Sequence, residues 1–329
     1  MSTRLGGAPC CCFGFTRLHP AAVRLRLPPA RAADTSASQS LARLRAVLEQ
    51  VDEALRMGND EAALSLVRGS LGEDGGVRCF GAARQVPQRL YKLDELKLNG
   101  IDTSAFLSPV DMTLGSIERN LQIAAVLGGL SISAALELSQ LQILFLVLGL
   151  LSLWSVDFAR DFFDLIKGSR GVTHEAGHFL IAYLLGVLPN GYTITSLDTL
   201  IKQGSINVQA GTAFVDYEFV EEINTGKLSA MMLNKFSCIA LAGVATEYLL
   251  YGVAEGGLAD INKLDGLLKS LGFTQKKADS QVRWAVLNTV LMLRRHEKAR
   301  SQLAEAMSSG KSVGSCIEVI EGNINTDDI

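Results

Sequence analysis

The sequence predicts a mainly α-helical protein with a small β meander, in which a metal-binding helical domain follows an apolar membrane segment. Three observations lead there. Residues 171–186 contain His-Glu-x-x-His followed by an apolar, helix-compatible run. Residues 121–136 and 138–156 carry no charge at all. Residues 192–217 are rich in β-branched and aromatic side chains and lie between two helical stretches.

Residues 1–33 hold Arg4, Arg17, Arg24, Arg26 and Arg31 and no acidic residue before Asp34. This basic, hydroxylated, acid-poor composition is that of an organellar transit peptide, without the apolar core of a secretory signal. Cys10, Cys11 and Cys12 fall inside it, leaving Cys79, Cys238 and Cys316. No Cys-x-x-Cys occurs, so neither a disulfide framework nor a thiolate metal site is expected.

Residues 37–71 read as a helical hairpin around Gly58-Asn59-Asp60, with Leu41, Leu44, Val47, Leu48, Val51 and Leu55 at helical spacing. A single pair of this kind is expected to pack as a helical element, with a docking role like that of a tetratricopeptide unit as the other reading. Residues 72–118, with Gly72, Gly75 and Gly76 early on, read as a linker region with short helical pieces.

The nineteen residues from Leu138 to Val156 are uncharged. As a helix they span about 28 Å, near the roughly 30 Å of a bilayer core. Trp154 lies at the end of the run, where interfacial aromatics collect. The sixteen uncharged residues from Leu121 to Leu136 carry Gly128, Gly129, Ser131 and Ser133, which suit close helix packing. Residues 121–156 are therefore expected to form one or two membrane spans.

The motif residues are His174, Glu175 and His178, and the chain has only four histidines. Positions i and i+4 share a helix face, so both imidazoles can reach one ion, and the intervening carboxylate suits a general base for an activated water. Thr173 is the expected N-cap, and Gly177 is expected to remove bulk beside the metal. A catalytic zinc needs a third protein ligand. His296 lies in a strongly charged stretch expected to be solvated, and His19 is in the leader, so the third ligand should be a carboxylate. Asp198, Glu247, Glu255 and Asp260 are the candidates, and spacing alone does not choose between Glu247 and Asp260.

Three blocks resemble the peptidase domain of the FtsH family of membrane-bound zinc metalloproteases. They are Thr-His-Glu-Ala-Gly-His at 173–178, Leu-Ala-Gly-Val-Ala-Thr-Glu-Tyr-Leu-Leu-Tyr-Gly at 241–252, and Glu-Gly-Gly-Leu-Ala-Asp-Ile at 255–261. The resemblance covers residues 165–300, leaving 301–329 as a C-terminal tail. It implies a zincin-like helical peptidase fold, Zn2+ held by His174, His178 and Asp260, Glu175 as the catalytic base, and Glu247 in a supporting role.

That family carries an ATPase with a P-loop, Gly-x-x-x-x-Gly-Lys-Ser/Thr. The one Gly-Lys-Ser here is Gly310-Lys311-Ser312, and the earlier glycine it needs falls at Glu305, so it reads as a loop. The resemblance therefore implies a membrane-anchored zinc metalloendopeptidase without its own motor, acting on a protein or peptide substrate. Its expected home is a chloroplast membrane, thylakoid or inner envelope, with a mitochondrial membrane as the alternative. Its expected partners are FtsH-type ATPase-bearing subunits or further copies of itself. The missing motor also supports a second reading, a catalytically weak or inactive scaffold subunit in such an assembly or in a thylakoid complex. The net charge of −3, with no basic stripe interleaved with aromatics, argues against nucleic acid as a partner.

Overall fold

A computed structural model of the chain describes residues 30–107, 169–193, 211–215, 217–225, 228–254 and 257–329. It divides into two units, Met1–Gln39 and Ser40–Ile329. The described part of the first is the beginning of helix α1 (Ala30–Arg56). The expected transit peptide lies almost wholly outside the described residues, and the expected membrane segment at 121–156 entirely so. Among the described residues no helix is long and apolar enough to cross a membrane.

The second unit is mainly helical with a two-stranded antiparallel sheet. After α1 come α2 (Asp60–Gly69), α3 (Leu93–Leu98) and α4 (Thr103–Leu107). The motif helix is α5 (Ser169–Leu184), followed by β1 (Pro189–Thr193), β2 (Gly211–Phe214) and α6 (Tyr217–Asn224). Then follow α7 (Ala230–Tyr251), α8 (Leu258–Ser270), α9 (Gln275–Arg295), α10 (Glu297–Ser308) and α11 (Val313–Asn323).

Helices α5 and α7 form the centre. Every residue from His174 to Leu185 is buried, as is every residue from Ser237 to Glu247. A helix apolar on all sides belongs in a core. The two helices pack on each other, with α9 mainly against α7 and α10 against α5. Gly177 permits the close crossing: a Cβ there would stand 2.2 Å from Thr246 Oγ1 and 2.8 Å from the Ala242 carbonyl. The space it leaves is thus taken by α7, not by a metal. Thr173 is not the N-cap either. The helix begins at Ser169, and the Thr173 hydroxyl donates to the Arg170 carbonyl at 2.9 Å.

The hairpin expected at 37–71 is present as α1 and α2, and local chemistry explains its turn. Asn59 caps α2 by accepting from the Ala62 N–H at 3.1 Å, with Asp60 and Glu61 favourably placed in the first turn. Residues 72–107 do more than link, since Val77, Cys79, Leu96, Ile101 and Phe106 are all buried. The stretch expected as a C-terminal tail also folds into the core. It supplies the end of α10 and the whole of α11, burying Leu303, Met307, Cys316, Ile317 and Ile320. Gly310-Lys311-Ser312 is the loop between them, with Ser312 capping α11.

One buried carboxylate ties these parts together. Glu321 of α11 is 2% exposed. It accepts from the backbone N–H groups of Arg78 at 3.0 Å and Cys79 at 2.8 Å, and from the Tyr183 hydroxyl of α5 at 2.7 Å. Burial, with the Glu321 charge adding to it, pushes the Cys79 thiol up to about 12.

The strands differ in part from the expected meander. Pro189-Asn190-Gly191 belongs to β1 and does not form a turn; Tyr192 pairs with Thr212 and Thr193 with Gly211. Residues 194–210, including Ile206–Gln209, lie outside the described residues.

Candidate metal centre

His174 and His178 stand one turn apart on α5, 8% and 7% exposed. Asp260 occupies the first turn of α8, three residues beyond Gly257, which precedes that helix. The structure brings these three side chains to one point. His174 Nε2 lies 3.0 Å from His178 Nε2 and 3.1 Å from Asp260 Oδ2. His178 Nε2 lies 3.3 Å from the same oxygen. Four-coordinate zinc, with bonds of roughly 2.0–2.2 Å, separates its ligand atoms by about 3.3 Å. The triangle has the size a first-row cation requires.

Hydrogen bonds on the far side of each ring fix the tautomers. His178 Nδ1–H donates to the Ile239 carbonyl at 2.7 Å, and His174 Nδ1–H donates to Glu247 Oε1 at 2.6 Å. With both Nδ1 atoms donating outward, both Nε2 atoms face one Asp260 oxygen. Three acceptors facing one another call for a cation between them. The electrostatics agree. Burial works against a charged His174, but its hydrogen bonds to Asp260 and Glu247 and the nearby Glu175 charge prevail and push its pKa up to about 10. Burial likewise opposes a charged Asp260, yet the two imidazoles hold it well below the usual carboxylate range. The residues present fit a bound metal ion.

Glu247 is 3% exposed on the apolar helix α7. It orients His174 from behind, and is not itself one of the three converging groups. Asp198 and Glu255 lie outside the described residues. His296 is corrected outright: it is 3% exposed, at the junction of α9 and α10. Arg294, Arg295 and Glu297 around it all point outward, which gives that stretch its charged composition. The imidazole alone turns inward, and burial lowers its pKa.

Glu175 is next to His174 and 6% exposed. Thr212 of β2 donates its hydroxyl to Glu175 Oε2 at 2.7 Å, and Oε1 has no protein partner among the described residues. All four residues line a cleft of about 740 Å³. Its remaining walls include Phe214, Phe219, Met232, Phe236, Ile239 and Lys235.

Three contributors were missed from sequence. Gly243 lets α7 lie against the His174 ring, and a glycine inside an apolar helix is a signal that asks for a packing reason. Thr212 and the Ile239 carbonyl gave no signal, because neither residue type nor spacing marks them.

No protein-family model, curated protein or solved structure matches the chain. The fold and the metal centre therefore rest on their own geometry.

Proposed function

We propose that the chain is a zinc-dependent metalloendopeptidase of the FtsH-like, zincin type. One observation carries the reading. Two imidazoles and a carboxylate converge in an open cleft, with the otherwise unengaged Oε1 of Glu175 beside them. Two histidines with one carboxylate also occur in iron sites. The spacing of His174 and His178 around Glu175 favours zinc hydrolysis chemistry.

Zinc held by His174, His178 and Asp260 would polarise a peptide carbonyl and lower the pKa of a water to about 7. Glu175 performs the proton transfers. Thr212 fixes its carboxylate through Oε2, leaving Oε1 to take a proton from the attacking water and then deliver it to the departing amine. Glu247 and the Ile239 carbonyl aim both Nε2 atoms inward. The apolar walls exclude bulk water from the reacting bond. Unfolded segments and exposed loops, which can enter the cleft as extended chain, are its expected substrates. In the same reading, residues 121–156 tether the domain to a chloroplast membrane, beside motor-bearing subunits or further copies of the chain.

The test is metal analysis with a peptidase assay on wild type, Glu175→Gln and Asp260→Ala. The expected result is one zinc per chain and hydrolysis of unfolded casein by wild type. Glu175→Gln should keep the zinc and lose hydrolysis, and Asp260→Ala should lose the zinc. Iron in place of zinc, or unchanged turnover by Glu175→Gln, overturns the reading. Full zinc occupancy with no cleavage, alone or beside a motor-bearing subunit, favours the scaffold.

A further inference from the structure

Among the described residues, three cationic side chains line the cleft: Arg170, Lys235 and Lys263. Lys263 Nζ reaches Asp260 Oδ1 at 3.5 Å, and the Arg170 guanidinium lies 4.6 Å above the Tyr251 ring. Lys235 differs. It is half-buried, and among the described residues no hydrogen bond or ion pair engages it. It stands one helical turn before Ile239, the residue whose carbonyl holds His178, so the two share a face of α7.

Lys235 shares the wall of the cleft with Val187, Met232, Phe219 and Phe236, and the two rings stack with centres 4.9 Å apart and planes 8° apart. Its Nζ is held near the end of the motif helix, 3.8 Å from where a Cβ on Gly186 would sit. A half-buried ammonium with no ion-pair partner gains a charge-assisted contact when a carboxylate meets it.

The same residue lines a second space. A cavity of about 400 Å³ shares Val187, Met232 and Lys235 with the cleft and continues to helix α2, where Glu61, Leu64 and Arg68 form its wall beside Glu218, and neither carboxylate pairs with Lys235 among the described residues. Arg68 is already paired there, with Glu218 at 2.8 Å.

We infer that Lys235 is a specificity-determining residue: the cleft selects peptides in which a carboxylate sits beside a large apolar side chain, with the carboxylate on Lys235 Nζ and the apolar group against Phe219 and Phe236. This rests on the peptidase reading for its biological meaning, but not for its test. The carboxylate can belong to an Asp or Glu side chain or to a peptide C-terminus, and the chemistry is the same.

The test uses zinc-loaded full-length Glu175→Gln protein and fluorescein-labelled phenylalanine-containing peptides, read by anisotropy. One peptide carries Glu and an amidated C-terminus, one carries Gln and an amidated C-terminus, one carries Gln and a free C-terminus, and one carries Lys and an amidated C-terminus. At least one carboxylate peptide should bind about tenfold more tightly than the amidated Gln peptide, as a charge-assisted contact gives. Which of the two does so identifies the source of the carboxylate. Adding Lys235→Glu should reverse the order of the Glu and Lys peptides, and adding Lys235→Arg should preserve it. Equal binding of all four peptides, or a carboxylate preference that survives Lys235→Glu in protein with an unchanged far-UV spectrum, overturns the inference. If the preference is found but wild type cleaves none of the peptides, the peptidase reading fails and the assignment of Lys235 stands. Cleavage without preference is the converse.

Discussion

Gly243 and His174 touch so closely that a Cβ on Gly243 would stand 2.2 Å from Nε2, the atom aimed at the metal position. The backbone of α7 therefore forms one wall of the ligand ring. Gly243→Ala must push either the helix or the imidazole aside. Overpacking of this kind costs about 1–3 kcal/mol. The variant is expected to stay folded at room temperature, to melt earlier, and to bind zinc at least about tenfold more weakly. Competition against a chromophoric chelator, beside a thermal melt, measures both effects. Wild-type affinity in this variant would mean that the ring is not a ligand.

Glu247 holds the other nitrogen of that ring at 2.6 Å. Replacing such outer partners costs about 10–100-fold in metal affinity. Glu247→Gln keeps an acceptor but loses the charge, so its loss should fall at the lower end of that range. Glu247→Ala should fall at the upper end. The same chelator titration ranks the two.

The metal and the proton compete for His174. In metal-free protein its pKa is pushed up to about 10, so at pH 8 the ring holds a proton that a metal ion must displace. Calorimetry of zinc binding at pH 8 in buffers of different ionisation enthalpy should reveal about one proton released per ion, and affinity should fall as the pH is lowered. The stability of the chelator-treated protein has the opposite dependence. A raised folded pKa stabilises fully below the unfolded value of about 6.5 and loses that contribution as the pH rises through about 10. Its denaturation midpoint should accordingly drop between pH 8 and pH 10.5.

Glu321 is buried far from the metal and joins α11, the 78–79 backbone and Tyr183. Glu321→Ala leaves two N–H groups and a hydroxyl without an acceptor, each costing about 1–3 kcal/mol. A loss of about 3 kcal/mol or more in urea unfolding is expected. Glu318 lies on the same helix but pairs with Arg45 at the surface. Glu318→Ala should change stability by less than about 1 kcal/mol. Similar values for the two would show that burial is not what makes Glu321 matter.

Much of the centre is legible in the chain because its first half is local. A helix of 3.6 residues per turn stacks His174 and His178 whatever surrounds them. The hairpin of α1 and α2 follows from apolar spacing and from Asn59 as a cap, both short-range effects. Composition misled at His296, whose charged neighbours face water while the imidazole faces the core. Residues 72–107 and 301–329, expected as a linker region and a tail, contribute to the core for a related reason. Short segments with few periodic apolar residues can still bury several of them, as Val77, Leu96, Leu303 and Ile317 show, when a larger core is present to receive them.

Spacing along the chain was enough to pair two imidazoles with a carboxylate on one helix face, since hydrogen bonds between near neighbours set that geometry. It could not choose Asp260 over Glu247, because both lie more than seventy residues from His174. Their roles follow from how α7 and α8 pack on α5, with Gly243 permitting the approach. Thr212, the Ile239 carbonyl and Lys235 join the site for the same reason: contacts between distant segments depend on the whole packed core, and no local pattern encodes them.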